Sequence, residues 1–176
     1  LEMHVRLLRT TLQRLAGEGG QLQSQERRAC FGLLHSMELV PDTASLRFLR
    51  QDVLTLLADP ARSGSVPDLI SRLRFNASAA RDRLSDDSWR LFNRLEHDAT
   101  RPAGGPLNTT SALDLLDTLV LDLAAFAGMQ TENMTRGHGW RFLETGRRIE
   151  RAIGVLALVK GAASQCLAND AVLTPL

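Results

Sequence analysis

The stretch from residue 132 to residue 151 reads Glu-Asn-Met-Thr-Arg-Gly-His-Gly-Trp-Arg-Phe-Leu-Glu-Thr-Gly-Arg-Arg-Ile-Glu-Arg, with ionic groups set among aromatic and aliphatic ones. Charges this close to a core bind each other, a ligand or a partner, because an unpaired buried ion costs several kcal/mol. On a helical wheel of about 100° per residue, Phe142, Gly146, Ile149, Ile153, Leu156 and Ala157 form the face expected to turn inward. Glu150 falls on the flank of that face. Arg147 and Arg151 lie one turn apart on the next strip with Trp140 and Gly154, while Arg141, Glu144 and Arg148 point away. Two arginines at i and i+4 repel by a few tenths of a kcal/mol unless an anion lies between them, so the pair calls for a carboxylate or a phosphate.

Two arrangements satisfy that demand. In one, Glu150 pairs with an arginine of a neighbouring helix, such as Arg81 or Arg74, and Arg147 and Arg151 complete a buried ion network that sets helix register. In the other, Arg147, Arg151, Arg136 and Arg81 line a cationic pocket for a carboxylate or phosphate, with Glu150 as orienting group or catalytic general base. A network is self-neutral, whereas a pocket leaves positive charge facing a cavity. Residues 76–85 (Asn-Ala-Ser-Ala-Ala-Arg-Asp-Arg-Leu-Ser) put Asn76 and Arg81 on opposite flanks of an apolar seam, where they could supply the facing wall. Asp82 and Arg83 read as solvated. His138, between two glycines ahead of the last helix, sits where a helix N-terminus receives anions, although a lone loop histidine is more often simply exposed. Trp89 and Trp140 read as core anchors.

Other chemistries lack their residues. His4, His35 and His97 are scattered without carboxylates at metal spacing, so no zinc or di-iron site is expected. Asp114, Asp117 and Asp122 spread around their helix and read as a mostly solvated acidic surface. No strand precedes a glycine-rich phosphate loop, and no cofactor motif is present. The net charge is +1, which gives no global field for nucleic acid or an anionic membrane. Twenty of the twenty-one basic residues are arginines and one is Lys160, a bias suited to bidentate anion binding but equally to a GC-rich coding sequence. Cys30 and Cys166 show no metal or disulfide spacing and read as buried thiols. The apolar runs at 119–129, interrupted by Asp122, and at 152–159 are too short to span a bilayer, and the start carries no signal-peptide pattern. A cytoplasmic protein is expected, in which the glycosylation sequons at Asn76, Asn108 and Asn133 have no meaning.

The elements that must position these groups are helical. At 176 residues the chain fits one domain, residues 1–176, with a core of its own. Met3, Leu7, Leu8, Leu12 and Leu15 show helical periodicity from the start, so the chain reads as opening within a helix, stopped by Gly17 and Gly19-Gly20. A second helix is expected over 25–38, ahead of Pro41. A third is capped by Asp42 or Thr43 and carries Leu46, Leu49, Val53, Leu56 and Leu57 inward. Ser65, with Pro67 and Asp68 behind it, opens a fourth through Ile70, Leu73, Ala77 and Leu84. Ser85-Asp86-Asp87 caps a helix bearing Trp89, Leu91, Phe92 and Leu95. After a Pro/Gly-rich loop at 100–106, Thr110 or Ser111 opens a helix with Leu116, Leu119, Val120, Leu123 and Ala127 inward. The last helix is expected over 139–161, with a short tail ending in Pro175. The fold class is an all-α bundle of six to seven helices, with no heptad seam long enough to predict a coiled-coil dimer.

The run over 134–152, preceded by residues 76–85 and Trp89, resembles the bacterial alpha-E domain family, helical proteins named for a Glu-Arg motif that Glu150-Arg151 matches here. The resemblance is strongest over 66–159. It implies a helical protein encoded beside, or fused to, a circularly permuted ATP-grasp protein, often with a transglutaminase-like peptidase nearby. ATP-grasp enzymes activate carboxylates as acyl phosphates, so the implied setting is a peptide- or amide-forming or peptide-modifying system. Carried onto this chain, the motif residues are Asn76, Arg81, Asp82, Arg83, Trp89, Arg136, Gly139, Trp140, Gly146, Arg147, Glu150 and Arg151. Members typically carry a second Glu-Arg motif in the first helix; here the chain opens Leu1-Glu2-Met3 without it. Three roles follow as expectations: a component that holds a carboxylate- or phosphate-bearing group, an acyl- or amide-transfer enzyme with Glu150 as base, or an interaction module whose ion network is architectural.

Overall fold

The computed structural model describes residues 1–17, 24–100 and 107–173, the side chains of 24, 133 and 166–173 excepted. Among the described residues there are seven α-helices and no strand: α1 (Glu2–Ala16), α2 (Ser24–Ser36), α3 (Leu49–Ala58), α4 (Val66–Ala79), α5 (Asp86–Thr100), α6 (Thr109–Asn133) and α7 (His138–Leu173). Short 3-10 turns precede α3 (Leu46–Phe48) and α5 (Arg81–Arg83). The stop at Gly19-Gly20, the loop residues 101–106, the Asn133 and Cys166 side chains and the tail at Pro175 lie outside the described residues.

Local chemistry accounts for most helix ends. Ser65 Oγ accepts from the Asp68 amide while the Asp68 carboxylate accepts from the Gly64 amide at 2.8 Å, a reciprocal cap with Pro67 in the first turn. Ser85 Oγ likewise accepts from the Ser88 amide at the start of α5. Two starts differ from expectation. Ser45, not Asp42 or Thr43, caps the 3-10 turn leading into α3. Asn108 opens α6, two or three residues before Thr110 and Ser111, because its side chain and that of Ser111 form a capping box. Helix α2 ends at Ser36: Glu38 adopts φ 59°, and the amides of Leu39 and Glu38 bond back to the carbonyls of Leu34 and His35, the Schellman arrangement.

Leucines from five helices and an isoleucine from a sixth make the core. Leu8 and Leu12 of α1, Leu34 of α2, Leu49, Leu56 and Leu57 of α3, Ile70 of α4, Leu95 of α5 and Leu116 and Leu119 of α6 are fully buried, each contributing about 1.5–3 kcal/mol. Helix α1 lies on α6, α4 on α5 and α5 on α6, while α3 touches all four. Guanidinium groups satisfy carbonyls between elements: Arg50 donates to Leu15 O at 2.7 Å and Arg62 to Leu39 O at 2.9 Å. Cys30 is a buried free thiol, and burial pushes its pKa up.

The acidic surface expected on α6 is only partly solvated. Asp117 pairs with Arg9, and Asp122 is buried against α5, where the Arg94 guanidinium binds both of its oxygens, one of them at 2.9 Å. Arg94 itself is more than half exposed. The two halves of this pair should therefore behave differently: Arg94→Ala strands a buried carboxylate and is expected to cost about 2 kcal/mol, whereas Asp122→Asn leaves an arginine that water can reach and should cost less than about 1 kcal/mol. Urea unfolding of the two variants checks the order.

Helix α7 differs most from expectation. It does not stop at Gly161 but continues to Leu173, because Gly161 is a contact point and not a terminator. A Cβ there would lie 2.6 Å from Ser36 Oγ and 3.2 Å from the Gly32 carbonyl of α2, and one at Gly154 would lie 3.2 Å from Met3 of α1. Phe142, Ile149, Ile153 and Leu156, expected to face inward, are instead 79%, 54%, 63% and 68% exposed. The helix is turned by roughly a third of a turn relative to its apolar moment. Backbones approach most closely where side chains are smallest, and the Gly154–Gly161 strip lets α7 sit on α1 and α2.

Candidate functional site

Packing α7 by its glycine strip brings the Glu-Arg motif to the start of α1. A cavity of about 240 Å³ lies between them, lined by Glu2, Met3 and Arg6 from α1 and by Arg147, Glu150, Arg151 and Val155 from α7. Glu150 pairs with neither Arg81 nor Arg74: the latter two engage Asp86 and Glu96, and Glu150 Oε1 accepts from the Leu1 amino group at 3.0 Å. The Glu150 side chain is 52% exposed. Arg6 is held by Glu2 at 3.0 Å. Arg147 reaches Glu144 at 3.5 Å, and Arg148 binds the same carboxylate at 2.9 Å. The Arg148 hydrogen bond, aided by the charges of Arg148, Arg147 and Arg151, holds the Glu144 carboxyl below its ordinary range. Arg151 makes no hydrogen bond or ion pair among the described residues, so the lining carries three arginines against two glutamates.

The remaining expected residues fall elsewhere. A second cavity of about 480 Å³ lies between the α4–α5 and α6–α7 connections. His138 and Trp140 line it together with Asp82, Arg83, Ser85, Ser88 and Thr135, so the facing wall that residues 76–85 supply belongs here and not at Glu150. Asp82 and Arg83 pair at 3.0 Å, and the Ser85 and Ser88 hydroxyls share a hydrogen bond at 3.0 Å. Arg136 lies over the Trp140 ring, 5.7 Å from its centroid. Arg81 lies 5.0 Å from the centroid of the Trp89 ring and binds Asp86 at 2.9 Å. Asn76 is exposed on α4. The single pocket expected from the sequence is thus two cavities, with Arg81, Arg136 and Asn76 lining neither. Glu2 and Arg6 were not anticipated at the first. Their i,i+4 spacing on a helix is visible in the sequence, but nothing local says that it faces residue 150.

His4, one residue along α1 from Met3, has its Nδ1 buried without a hydrogen-bond partner. Burial, then the nearby Leu1 amino charge, lowers its pKa from the ordinary 6.5, and Glu150 opposes the change. The unfolded chain therefore binds more protons than the folded one below 6.5. Folding stability should fall as pH drops through that value and flatten once folded His4 also protonates. Urea unfolding at about pH 5 and about pH 7.5 should show this slope in the parent chain and a reduced one in His4→Gln.

The Alpha-E family model, described as a predicted alpha-helical domain with a conserved ER motif, matches residues 1–173. The chain belongs to the Alpha-E family. Glu150-Arg151 of this Alpha-E chain lines the first cavity, with the second arginine, Arg147, one turn before Arg151. Similar curated proteins include Uncharacterized protein Rv2567 of Mycobacterium tuberculosis strain H37Rv and Uncharacterized protein Mb2597 of Mycobacterium bovis. Each is 29% identical over 114 residues, which cover 62% of this chain and 13% of the relative. The Alpha-E chain thus matches only a small part of those relatives' length. No solved structure matches it. Among the described residues, no cluster of three or more potential metal ligands occurs, and no helix is long and apolar enough to cross a membrane.

Proposed function

We propose that this Alpha-E chain holds a carboxylate- or phosphate-bearing group in the cavity between α1 and α7, as the helical component of an ATP-grasp-linked peptide- or amide-forming or peptide-modifying system. The observation that carries this reading is the make-up of the lining, three arginines against two glutamates: Glu2 and Arg6 neutralise each other, and Arg151 stands beside Arg147 with no ion pair among the described residues. Two arginines one turn apart on an open wall fit the two oxygens of a carboxylate or the face of a phosphate. Such a group is what an ATP-grasp enzyme consumes or produces, as a peptide carboxylate or its acyl phosphate. A circularly permuted ATP-grasp protein is the expected partner, with a transglutaminase-like peptidase as a second.

A catalytic reading is favoured by one feature: the exposed Glu150 carboxylate lines the same cavity as the arginines. In that version Glu150 takes the proton from an amine attacking the acyl phosphate carbon, the C–N bond forms as the C–O bond to phosphate breaks, and Arg147 and Arg151 hold the departing phosphate.

The test is calorimetric titration of the chain against the ATP-grasp partner, with and without ATP and short acidic peptides, in parent and Glu150→Gln forms. With Glu150 half exposed, its loss should cost less than about 1 kcal/mol, so Tm is expected to hold while binding or turnover falls. Unfolding of Glu150→Gln would favour the architectural role, and preserved Tm with preserved activity of the complete system would defeat both site-based readings.

A further inference from the structure

The cavity between α1 and α7 is ionic at one end and apolar at the other. Along α7, Arg147, Arg151 and Val155 occupy successive turns of its wall, and at about 1.5 Å per residue they span roughly 12 Å from the first arginine to the valine. Met3 of α1 joins the valine end. A Cβ at Gly154 would lie 3.2 Å from Met3 Cγ and 3.3 Å from Met3 Cε, so the Met3 side chain rests on the α7 backbone next to Val155. Val155 keeps 46% of its surface open. A ligand held by the two arginines thus finds two apolar side chains, from different helices, one to two turns farther along the same cavity.

Charge and size narrow what that ligand is. Three arginines against two glutamates leave the lining one positive charge in excess. A carboxylate cancels it, whereas a phosphate monoester carries a charge of about −1.5 to −2 at neutral pH and would set its surplus against Glu2 and Glu150 of the same lining. The volume of about 240 Å³ falls below the roughly 300–1,000 Å³ of sites that take drug-sized molecules, which suits a single amino-acid residue and is too small for a nucleotide. At the apolar end, carbons laid on Met3 and Val155 gain from each methylene removed from water. A second polar group placed there would lose water with no hydrogen-bonding side chain to replace it.

In a peptide, only the C-terminal residue carries a carboxylate and an aliphatic side chain on the same carbon; the carboxylates of Asp and Glu end their side chains with nothing apolar beyond. We propose that the group held by Arg147 and Arg151 is the C-terminal carboxylate of a peptide whose last residue is aliphatic, with that residue's side chain on Met3 and Val155. This names the substrate class for the anion-binding role given to the cavity above and rests on that role.

The experiment is an NMR titration of the whole chain with acetyl-glycyl-glycyl-leucine, the matching peptides ending in glycine and aspartate, the leucine peptide capped as its amide, and inorganic phosphate. The leucine peptide should bind about tenfold more tightly than the glycine peptide, and more tightly than the aspartate peptide or phosphate, with shifts at the Met3 and Val155 methyls. The amide should not bind. Val155→Ser and Met3→Ala should each cut the preference for leucine over glycine to about twofold or less, and Tm should hold in Val155→Ser because that side chain is half exposed. Equal affinity for the leucine and glycine peptides, lost for both in the Arg147→Ala/Arg151→Ala double variant, would overturn the aliphatic assignment and leave the anion-binding role standing. So would tighter binding of phosphate, or a leucine preference that survives in both Val155→Ser and Met3→Ala. No binding of any peptide or of phosphate would end both.

Discussion

Gly161→Leu is expected to destabilise the fold by about 3 kcal/mol, while Gly146→Ala, fifteen positions earlier on the same helix, is expected to stabilise it by about 0.5–1 kcal/mol. Helix propensity favours both replacements, so the sign is set by what each side chain meets. At position 161 the first carbon would lie 2.6 Å from Ser36 Oγ, 2.9 Å from Ser36 Cβ and 3.2 Å from the Gly32 carbonyl oxygen. The Ser36 hydroxyl cannot simply swing away, because it donates to Leu33 O at 2.8 Å. The Gly32 oxygen moves only with α2. Relief therefore requires α7 to lift from α2, where it packs. At position 146 nothing stands within 4 Å, and only the propensity gain remains. Thermal and urea unfolding of both variants check the pair; a shift in the same direction for both would mean that α7 does not rest on its glycine strip.

Arg151→Ala is expected to weaken binding of a carboxylate- or phosphate-bearing ligand by about 2 kcal/mol, roughly thirtyfold, with Arg147→Ala similar and the double variant beyond detection. Each arginine offers charge-assisted donors to an anion, and neither lies in the leucine core, so Tm should change little. The singles should not be identical in side effects. Arg147→Ala also frees Glu144 from one of its two paired arginines, adding negative charge near the cavity, whereas Arg151 acts on Glu144 only through its charge and forms no ion pair among the described residues. Calorimetry against inorganic phosphate and a short acidic peptide reads the affinity, and Tm in the same samples reads the fold. Unchanged affinity in the double variant would remove the cavity between α1 and α7 from any binding role.

Where a residue's partner lies within a turn or two, the sequence was a good guide. Ser65 and Ser85 cap α4 and α5 as their spacing predicts, and the core positions of α1, α3, α5 and α6 follow the helical period. Capping choices among adjacent polar residues were harder: Ser45 and Asn108 won over Asp42, Thr43 and Thr110 because the cap goes to whichever side chain reaches a free amide once the chain direction is set. Asp122 looked like its solvated neighbours until Arg94 of another helix closed on it. The candidate site was half legible. Arg147, Glu150 and Arg151 stood together on one helix and remain together, but Glu2 and Arg6 complete the wall from the other end of the chain.

The sequence by itself determined that this is an all-α member of the Alpha-E family, where most helices begin, and which residues carry the Glu-Arg motif, because these depend on local hydrogen bonds, helical period and a long contiguous run. Only the tertiary structure decided which way α7 faces. Apolar content alone would bury Phe142, Ile149 and Ile153, yet close approach of helix backbones selects Gly154 and Gly161, and a helix at the margin of a bundle can bury only one side. That choice sets Glu150 and Arg151 against α1, divides the expected pocket into two cavities, and leaves the bulkiest stripe of the helix facing outward.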